Sequence, residues 1–370
     1  MTGARARWFA GATVLAVLAG ALLLRPETTV PSAAPSATTG SSSEARELPD
    51  PVTSSVEPEP RAEPAETSDD PRAIVASLEA LGSTYAARST RKPAPDAELE
   101  RVLVKHLGSE HDAVVRAALT TARVSLMTEP PQAGVVAAIV ELTGKHEATS
   151  RRAAGLEALH SLRPDRRSGD VLSAFQTALD AEEPELVSLG LLALSQSGPS
   201  LAGAPEVTRT ALGERVVALL GHGNPGVRGR ALLVLAELPE LVTEEKRFAA
   251  GKHGLLDRQP YVCAQAADLL ARTRKAAAIH GLIEQVRDLR AARYELRGSA
   301  GVLLHEVPGR RRVAEAALFA IQSLGETVSG AERLTLTLRD RYTDDPLVLE
   351  NAEAAKAWYR SLAGRIPREP

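Results

Sequence analysis

Asn224-Pro225-Gly226-Val227-Arg228-Gly229-Arg230-Ala231-Leu232-Leu233-Val234-Leu235-Ala236-Glu237-Leu238 is the stretch on which the reading of this chain turns. It reads as one short helix with a well-made start. The Asn224 side chain can accept from the unpaired N–H groups of a first helical turn. Pro225 suits the first helical position, where its missing donor has no intrahelical partner and its φ is already helical. Val227, Ala231, Val234, Leu235 and Leu238 then recur at the spacing of one buried helical face. A helix of this length is marginal on its own, so it calls for neighbours.

The chain supplies copies of it. With Arg228 as the reference position, the equivalents are Arg116, Arg152, Val187, Cys263, Arg297 and Leu349, separated by 36, 35, 41, 35, 34 and 52 residues. One position earlier stand Val115, Arg151, Leu186, Val227, Val262, Leu296 and Val348. Three positions later stand Leu119, Gly155, Gly190, Ala231, Ala266, Ala300 and Ala352, small in six of seven copies. Leucine recurs seven positions later at Leu159, Leu194, Leu235, Leu270 and Leu304. Proline recurs three positions before the reference at Pro184, Pro225, Pro260 and Pro346. A second set of helices lies between these, for example Leu99 to Leu107, Gly134 to Leu142 and Glu214 to Leu220. Each unit is therefore a helix pair of about 35 residues, the period of a stacked array. Small residues at the crossing position let neighbours approach closely, and the leucines fill between layers.

The pairs resemble HEAT repeats. Asp112-Ala113-Val114-Val115-Arg116 and Asn224-Pro225-Gly226-Val227-Arg228 match that family's Asp/Asn-Pro-x-Val-Arg start of the second helix. The resemblance covers roughly residues 96–365 and implies an all-α, armadillo-like solenoid that acts as a protein-interaction scaffold. Some HEAT-like proteins are phycobilin lyases or DNA glycosylases, which gives the resemblance an enzymatic alternative. The family arginine is absent at Val187, Cys263 and Leu349, which puts a continuous Asp/Arg ladder in doubt. The 52-residue gap holds an extra helix, Arg312 to Leu324, where the stack is expected to bend or become irregular.

Ahead of the array, residues 1–25 read as a signal anchor or signal peptide. Trp8 to Leu24 is a 17-residue apolar run without charge, preceded by Arg5 and Arg7 and followed by Arg25. It sits at the short limit for spanning a bilayer, and the arginines before it would hold the N-terminus in the cytoplasm. Ala19-Gly20-Ala21 offers a small-residue cleavage site, but the apolar run continues through Leu22-Leu23-Leu24, which favours an uncleaved anchor. The expected location is the inner membrane with a periplasmic solenoid, the alternative being a periplasmic or secreted chain after cleavage. Residues 26–70 read as a disordered linker, with nine prolines between 26 and 71 and a net charge of −7 over 44–70. Like charges and proline extend such a tether. Residues 71–95 form an N-terminal helix and a break.

The 370 residues carry a net charge of −3, and the part from 71 onward is close to neutral, so a nucleic-acid partner is not expected. Aromatics make up only 3%, leaving Ala and Leu to do the packing. A single cysteine, Cys263, excludes an intramolecular disulfide and a cysteine zinc site; in its apolar run it reads as a packed thiol. The eight histidines form no HExxH and read as surface or loop residues, and no cofactor or metal is expected. Gly221-His222-Gly223-Asn224-Pro225-Gly226 lacks the Lys-Ser/Thr of a phosphate loop and reads as a turn between helices.

Two candidate surfaces remain. Leu189, Leu192 and Leu233, with Arg230, lie off the core stripe of adjacent second helices and form a candidate protein-binding patch. Arg290, Arg293, Arg310, Arg311 and Arg312 form a candidate basic patch, interspersed with Asp288, Glu295 and Glu306. The reading is a non-catalytic, membrane-tethered scaffold for an unidentified protein or peptide. The alternatives are a lyase-like or glycosylase-like enzyme, or a structural envelope spacer.

Overall fold

The computed structural model describes residues 70–88, 97–126, 132–144, 147–297, 303–307, 311–337, 345–362 and 364–368. The expected membrane segment 1–25 and the linker 26–70, except Asp70, lie outside the described residues. Among the described residues no helix is long and apolar enough to cross a membrane.

The helices are α1 (Pro71–Arg88), α2 (Ala97–Leu107), α3 (Asp112–Leu126), α4 (Ala133–Leu142), α5 (Thr149–His160), α6 (Gly169–Ala178), α7 (Pro184–Ser195), α8 (Gly198–Leu201), α9 (Glu206–Ala218), α10 (Pro225–Glu237), α11 (Glu244–Gly254), α12 (Pro260–Thr273), α13 (Ile279–Leu282), α14 (Val313–Gly325) and α15 (Asp345–Leu362). A two-stranded antiparallel hairpin, β1 (Tyr294–Arg297) with β2 (Leu303–Val307), interrupts them between α13 and α14. Its register pairs Tyr294 with Val307 and shifts between Leu296 and Arg297.

Antiparallel pairs α2–α3, α4–α5, α6–α7, α9–α10 and α11–α12 build the array. The second helices stack in one row, each against the next: α1, α3, α5, α7, α10, α12, α14, α15. Because α1 packs on α3 as later second helices pack on one another, residues 71–88 belong to the stack that was expected to begin near Asp96.

The opening helix starts as its sequence dictates. Asn224 caps α10, its Oδ1 accepting from the Gly226 N–H at 2.8 Å, and Pro225 occupies the first turn. Val227, Ala231, Val234 and Leu235 are fully buried. At ~1.5–3 kcal/mol for each large apolar side chain removed from water, such stripes stabilise the layers. The small residue at the crossing position is required by close approach. A Cβ at Gly190 would stand 2.9 Å from the Phe175 carbonyl oxygen of α6, so only glycine lets α7 settle there.

One copy in the sequence series is not a helix. The unit centred on Arg297 is strand β1, and Ala300 lies outside the described residues. The member that stacks on α12 is α14, where Val313, Ala317 and Ile321 are fully buried at the four-residue spacing of Val227, Ala231 and Leu235. The helix expected as an extra therefore belongs to the row. The irregularity is instead the stretch from Arg274 to Arg312, which holds α13 and the hairpin. It begins at Arg274, a residue in the left-handed conformation (φ 54°) that ends α12.

After α14 the chain runs non-helically through 331–337 along α15. Burial alternates there, with Leu334 and Leu336 inward, as in an extended strand. The buried Asn351 side chain of α15 holds Thr337 at both backbone groups, accepting from its N–H at 2.9 Å and donating to its carbonyl at 3.0 Å. Trp358 Nε1 donates to the Glu332 carbonyl at 2.8 Å.

Candidate functional site

The second helices turn one side to the first helices and the opposite side away from them. In α12, Ala266 and Leu270 lie against Gly254 and Gly251 of α11, and Leu232 of α10 also meets Gly254. Positions three, four and seven after the reference thus face the first-helix layer. At about 100° per residue, positions two before, two after and five after fall on the far side. In α7, α10 and α12 these are Glu185, Gly226 and Tyr261; Leu189, Arg230 and Gln265; and Leu192, Leu233 and Asp268.

On this far face the structure brings together a group that the sequence only half shows. Tyr294 of β1 lies on α10 where Gly226 and Gly229 leave room: a Cβ at Gly226 would collide with the Tyr294 phenol, and one at Gly229 with the Tyr261 ring. The two tyrosine rings stack with centroids 5.1 Å apart. The Tyr294 hydroxyl donates to Asn224 Oδ1 at 3.3 Å, so the cap residue of α10 also holds the insertion. Both phenols act on Arg230, which is 1% exposed. Its Nη1 donates to the Ser188 carbonyl of α7 at 2.8 Å, while its Nη2 is buried without a hydrogen-bond partner. Burial pulls the Arg230 guanidinium below its usual value, and the phenols of Tyr261 and Tyr294 partly offset that. Burial raises both tyrosines, so both phenols stay neutral at ordinary pH.

A second buried arginine is satisfied differently. Arg167, between α5 and α6, donates to the carbonyls of Leu162 (3.3 Å), Ala193 (2.6 Å) and His160 (2.9 Å) and to Ser197 Oγ (2.6 Å). Its guanidinium also lies 5.4 Å from the centre of the Phe175 ring. Burial lowers it to about 10.

The four residues of the candidate patch therefore separate. Leu189 is 6% exposed and Arg230 is buried, because α10 closes against α7 there and Arg230 reaches across to Ser188. Leu192 and Leu233 remain partly exposed, one on each of two adjacent helices.

The basic patch is neutralised pair by pair among the described residues. Arg290 binds Asp288 and donates to the Arg258 carbonyl, and Arg293 meets Glu295. Arg311 reaches Asp268 of α12 at 2.8 Å, and Arg312 meets Asp345 and Glu315. Arg287 joins Glu353. Arg310 lies outside the described residues. Of the interspersed acids, Asp288 and Glu295 pair with these arginines, and the pairs to Asp268, Asp345 and Glu353 tie the insertion to the stack.

The Asp/Arg ladder is discontinuous. Arg151 reaches Asp112 at 2.7 Å, Arg152 approaches Glu183 at 3.7 Å, and Arg228 grips Asp257 in a two-point bond at 2.7 and 3.0 Å. Between α7 and α10 the link is the buried Arg230–Ser188 bond instead. Burial alone would raise Asp257, but the hydrogen bonds from Arg228 and the Gln259 N–H, with the Arg228 charge, bring it below the usual carboxylate range.

Cys263 is buried, donates to the Asp257 carbonyl at 3.0 Å, and is pushed up to about 11 by burial. At neutral pH it is a thiol, not a nucleophile. The histidines do not all lie at the surface as expected. His106 is buried within α2, and His280 bridges the Tyr359 hydroxyl (2.7 Å) and the Pro367 carbonyl (3.0 Å). Among the described residues no three His, Cys, Asp or Glu side chains gather as a metal site.

No protein-family model matches the chain, and no curated protein matches it. Among solved structures, a designed armadillo repeat protein in complex with the peptide (KR)4 is 15% identical, with a TM-score of 0.40 over 56% of this chain and 95% of that chain. A chain of the Kap95:Nup1 complex is 13% identical, with a TM-score of 0.48 over 81% of this chain and 42% of that one. A chain of the complex in which Kap95p binds RanGDP is 13% identical, with a TM-score of 0.47 over 81% of this chain and 41% of that one. The chain spans about two fifths of the length of these last two. It is the row of packed second helices, bonded neighbour to neighbour, that defines this chain as a helical-repeat solenoid.

Proposed function

We propose that this protein is a non-catalytic interaction scaffold that takes up a segment of another protein on the far face of its second helices. We further propose that residues 8–24 anchor it in the inner membrane and that the linker 26–70 displays the stack on the periplasmic side. The apolar run between Arg7 and Arg25 and the proline-rich acidic stretch support the latter reading.

The observation that carries the scaffold reading is how this row of helices holds non-helical stretches of its own chain. Strand residue Tyr294 is seated on α10, and the extended 331–337 segment is read by Asn351 through both of its backbone groups. Where α7 meets α10, the same face keeps Leu192 and Leu233 partly exposed. Among the described residues, Arg290, Arg293, Arg311 and Arg312 already hold carboxylates, which weighs against a glycosylase-like reading.

The test places a photo-crosslinking amino acid at Leu233 in the full chain in its native membranes, with Leu256, 81% exposed on the turn after α11, as the control position. One discrete protein adduct at 233, absent at 256 and abolished by Leu192→Asp in a chain with unchanged circular dichroism, is expected. The same adducts at both positions would sink the reading. For the anchor, the full chain should resist alkaline extraction from membranes, and a chain starting at residue 26 should not.

A further inference from the structure

We propose that Arg230 anchors a carboxylate site and that the segment taken up is acidic, an Asp or Glu side chain displacing the Tyr294 phenol to pair with the guanidinium. This rests on the scaffold reading above and gives the partner its chemistry.

Three observations lead there. First, Arg230 is a cation taken out of water without a carboxylate: among the described residues it forms no ion pair, its Nη2 has no well-placed acceptor, and beyond the Ser188 carbonyl it meets only the neutral phenols of Tyr261 and Tyr294. Burying a charge without such a partner is costly, and a guanidinium offers paired donors that fit a carboxylate at two points. Second, the fold can satisfy a buried arginine when the role is structural. Arg167 has four oxygen acceptors and an aromatic ring, and α10 offers Arg230 only the Ser188 carbonyl of α7 as a short hydrogen bond.

Third, what covers Arg230 is removable. Glycines at 226 and 229 make the far face of α10 flat; Tyr261 of α12 and Tyr294 of β1 cover it together, and of the two only the half-buried Tyr294 comes from a two-stranded hairpin and not from the helix row. Its hydroxyl bond to Asn224 is long at 3.3 Å. Leu192 and Leu233 stand partly exposed on the same face, so an incoming segment would set apolar side chains on them and an acidic one on Arg230. Two-stranded hairpins are marginal by themselves, which suits a cover that yields to a better ligand.

The experiment measures fluorescence anisotropy of a fluorescein-labelled hexaglutamate peptide with the purified full chain, with Tyr294→Ala, with Arg230→Met, and with Arg230→Met in the Tyr294→Ala chain. Removing the cover should tighten binding about ten-fold, since an occluded site loses affinity in proportion to its closed fraction. Arg230→Met should abolish that gain while leaving the thermal midpoint level or higher, and Arg230→Lys should keep part of it. Equal peptide affinity with and without Arg230 would overturn the proposal, as would a lowered midpoint for both Arg230→Met and Arg230→Lys without loss of binding. Displacement of the peptide by acetate at equal carboxylate concentration would show a small-anion site and overturn the peptide assignment. A surviving adduct at Leu233 in the Arg230→Met chain would retain the scaffold and discard the carboxylate site, so the two readings fail separately.

Discussion

The α5–α7 region and the α10–α12 region each bury an arginine without a carboxylate, and the two do it in opposite ways. Around Arg167 the chain folds its loop so that four oxygens point at one guanidinium. The cation there acts as a knot that ties the α5–α6 connection to the end of α7. Around Arg230 a single carbonyl is supplied, and the remaining surroundings are two phenols. The difference teaches that burial alone does not define a structural residue. The completeness of its hydrogen bonding does, because each unsatisfied buried donor carries a desolvation cost that nothing in the fold returns.

Substitution of both arginines is the sharpest way to break the comparison. Arg167→Met should lose about 3–5 kcal/mol, since it strips a partner from several buried oxygens at once. Arg230→Met should fall within about 1 kcal/mol of the parent in urea unfolding, and equal losses would dissolve the contrast. Leu235→Ala on the core side of α10 should cost about 2–5 kcal/mol, against less than about 1 kcal/mol for Leu233→Ala on its far side. Gly190→Ala, which presses a methyl onto the Phe175 carbonyl, should cost about 1–3 kcal/mol by the same assay.

A modest effect is expected at the ladder. Arg228→Gln should remove about 1–2 kcal/mol, the worth of a charge-assisted, largely buried pair. Asp257 lies below its ordinary value when folded, so its contribution is present above the unfolded carboxylate value of about 3.9 and is lost as pH falls through the lower folded value. Stability measured between pH 5 and pH 2 should therefore fall less steeply in Arg228→Gln than in the parent.

Much of the stack was legible because local rules decide it. Asn224 and Pro225 start α10 as their chemistry requires, and the Val227-Ala231-Leu235 row is the buried row. The copy placed at Arg297 shows where periodicity gives out. Leu296, Ala300 and Leu304 satisfy a three-position pattern by coincidence, and such a pattern is too sparse to distinguish a helix from a hairpin. The better signal lay between them: Gly298-Ser299-Ala300-Gly301 separates Tyr294-Glu295-Leu296 from Leu303-Leu304-His305-Glu306-Val307, a glycine-bounded loop between strand-like runs. Arg230 was readable as a member of the candidate patch off the core stripe, but not as a buried cation. Its surroundings are Ser188, Tyr261 and Tyr294, the last of which lies 64 positions away and comes from an element that periodicity assigns to a helix. The phase of Leu189, Leu192, Arg230 and Leu233 on their helices was legible, since phase depends on the local sequence alone, but the closure of α10 on α7 that buries Leu189 and Arg230 was not.

The insertion also governs how the molecule comes apart. A plain solenoid unfolds unit by unit, because each repeat touches only its neighbours. Here Tyr294 is tied to Asn224 across 70 residues, and His280 to Tyr359 and Pro367 across 79 and 87. Such ties must wait for distant parts of the chain to meet, which slows folding, and once formed they join non-adjacent repeats into one cooperative block. Hydrogen exchange should accordingly show the amides of α10, α12, α14 and α15 opening together, with those of α4 and α5 free to open on their own.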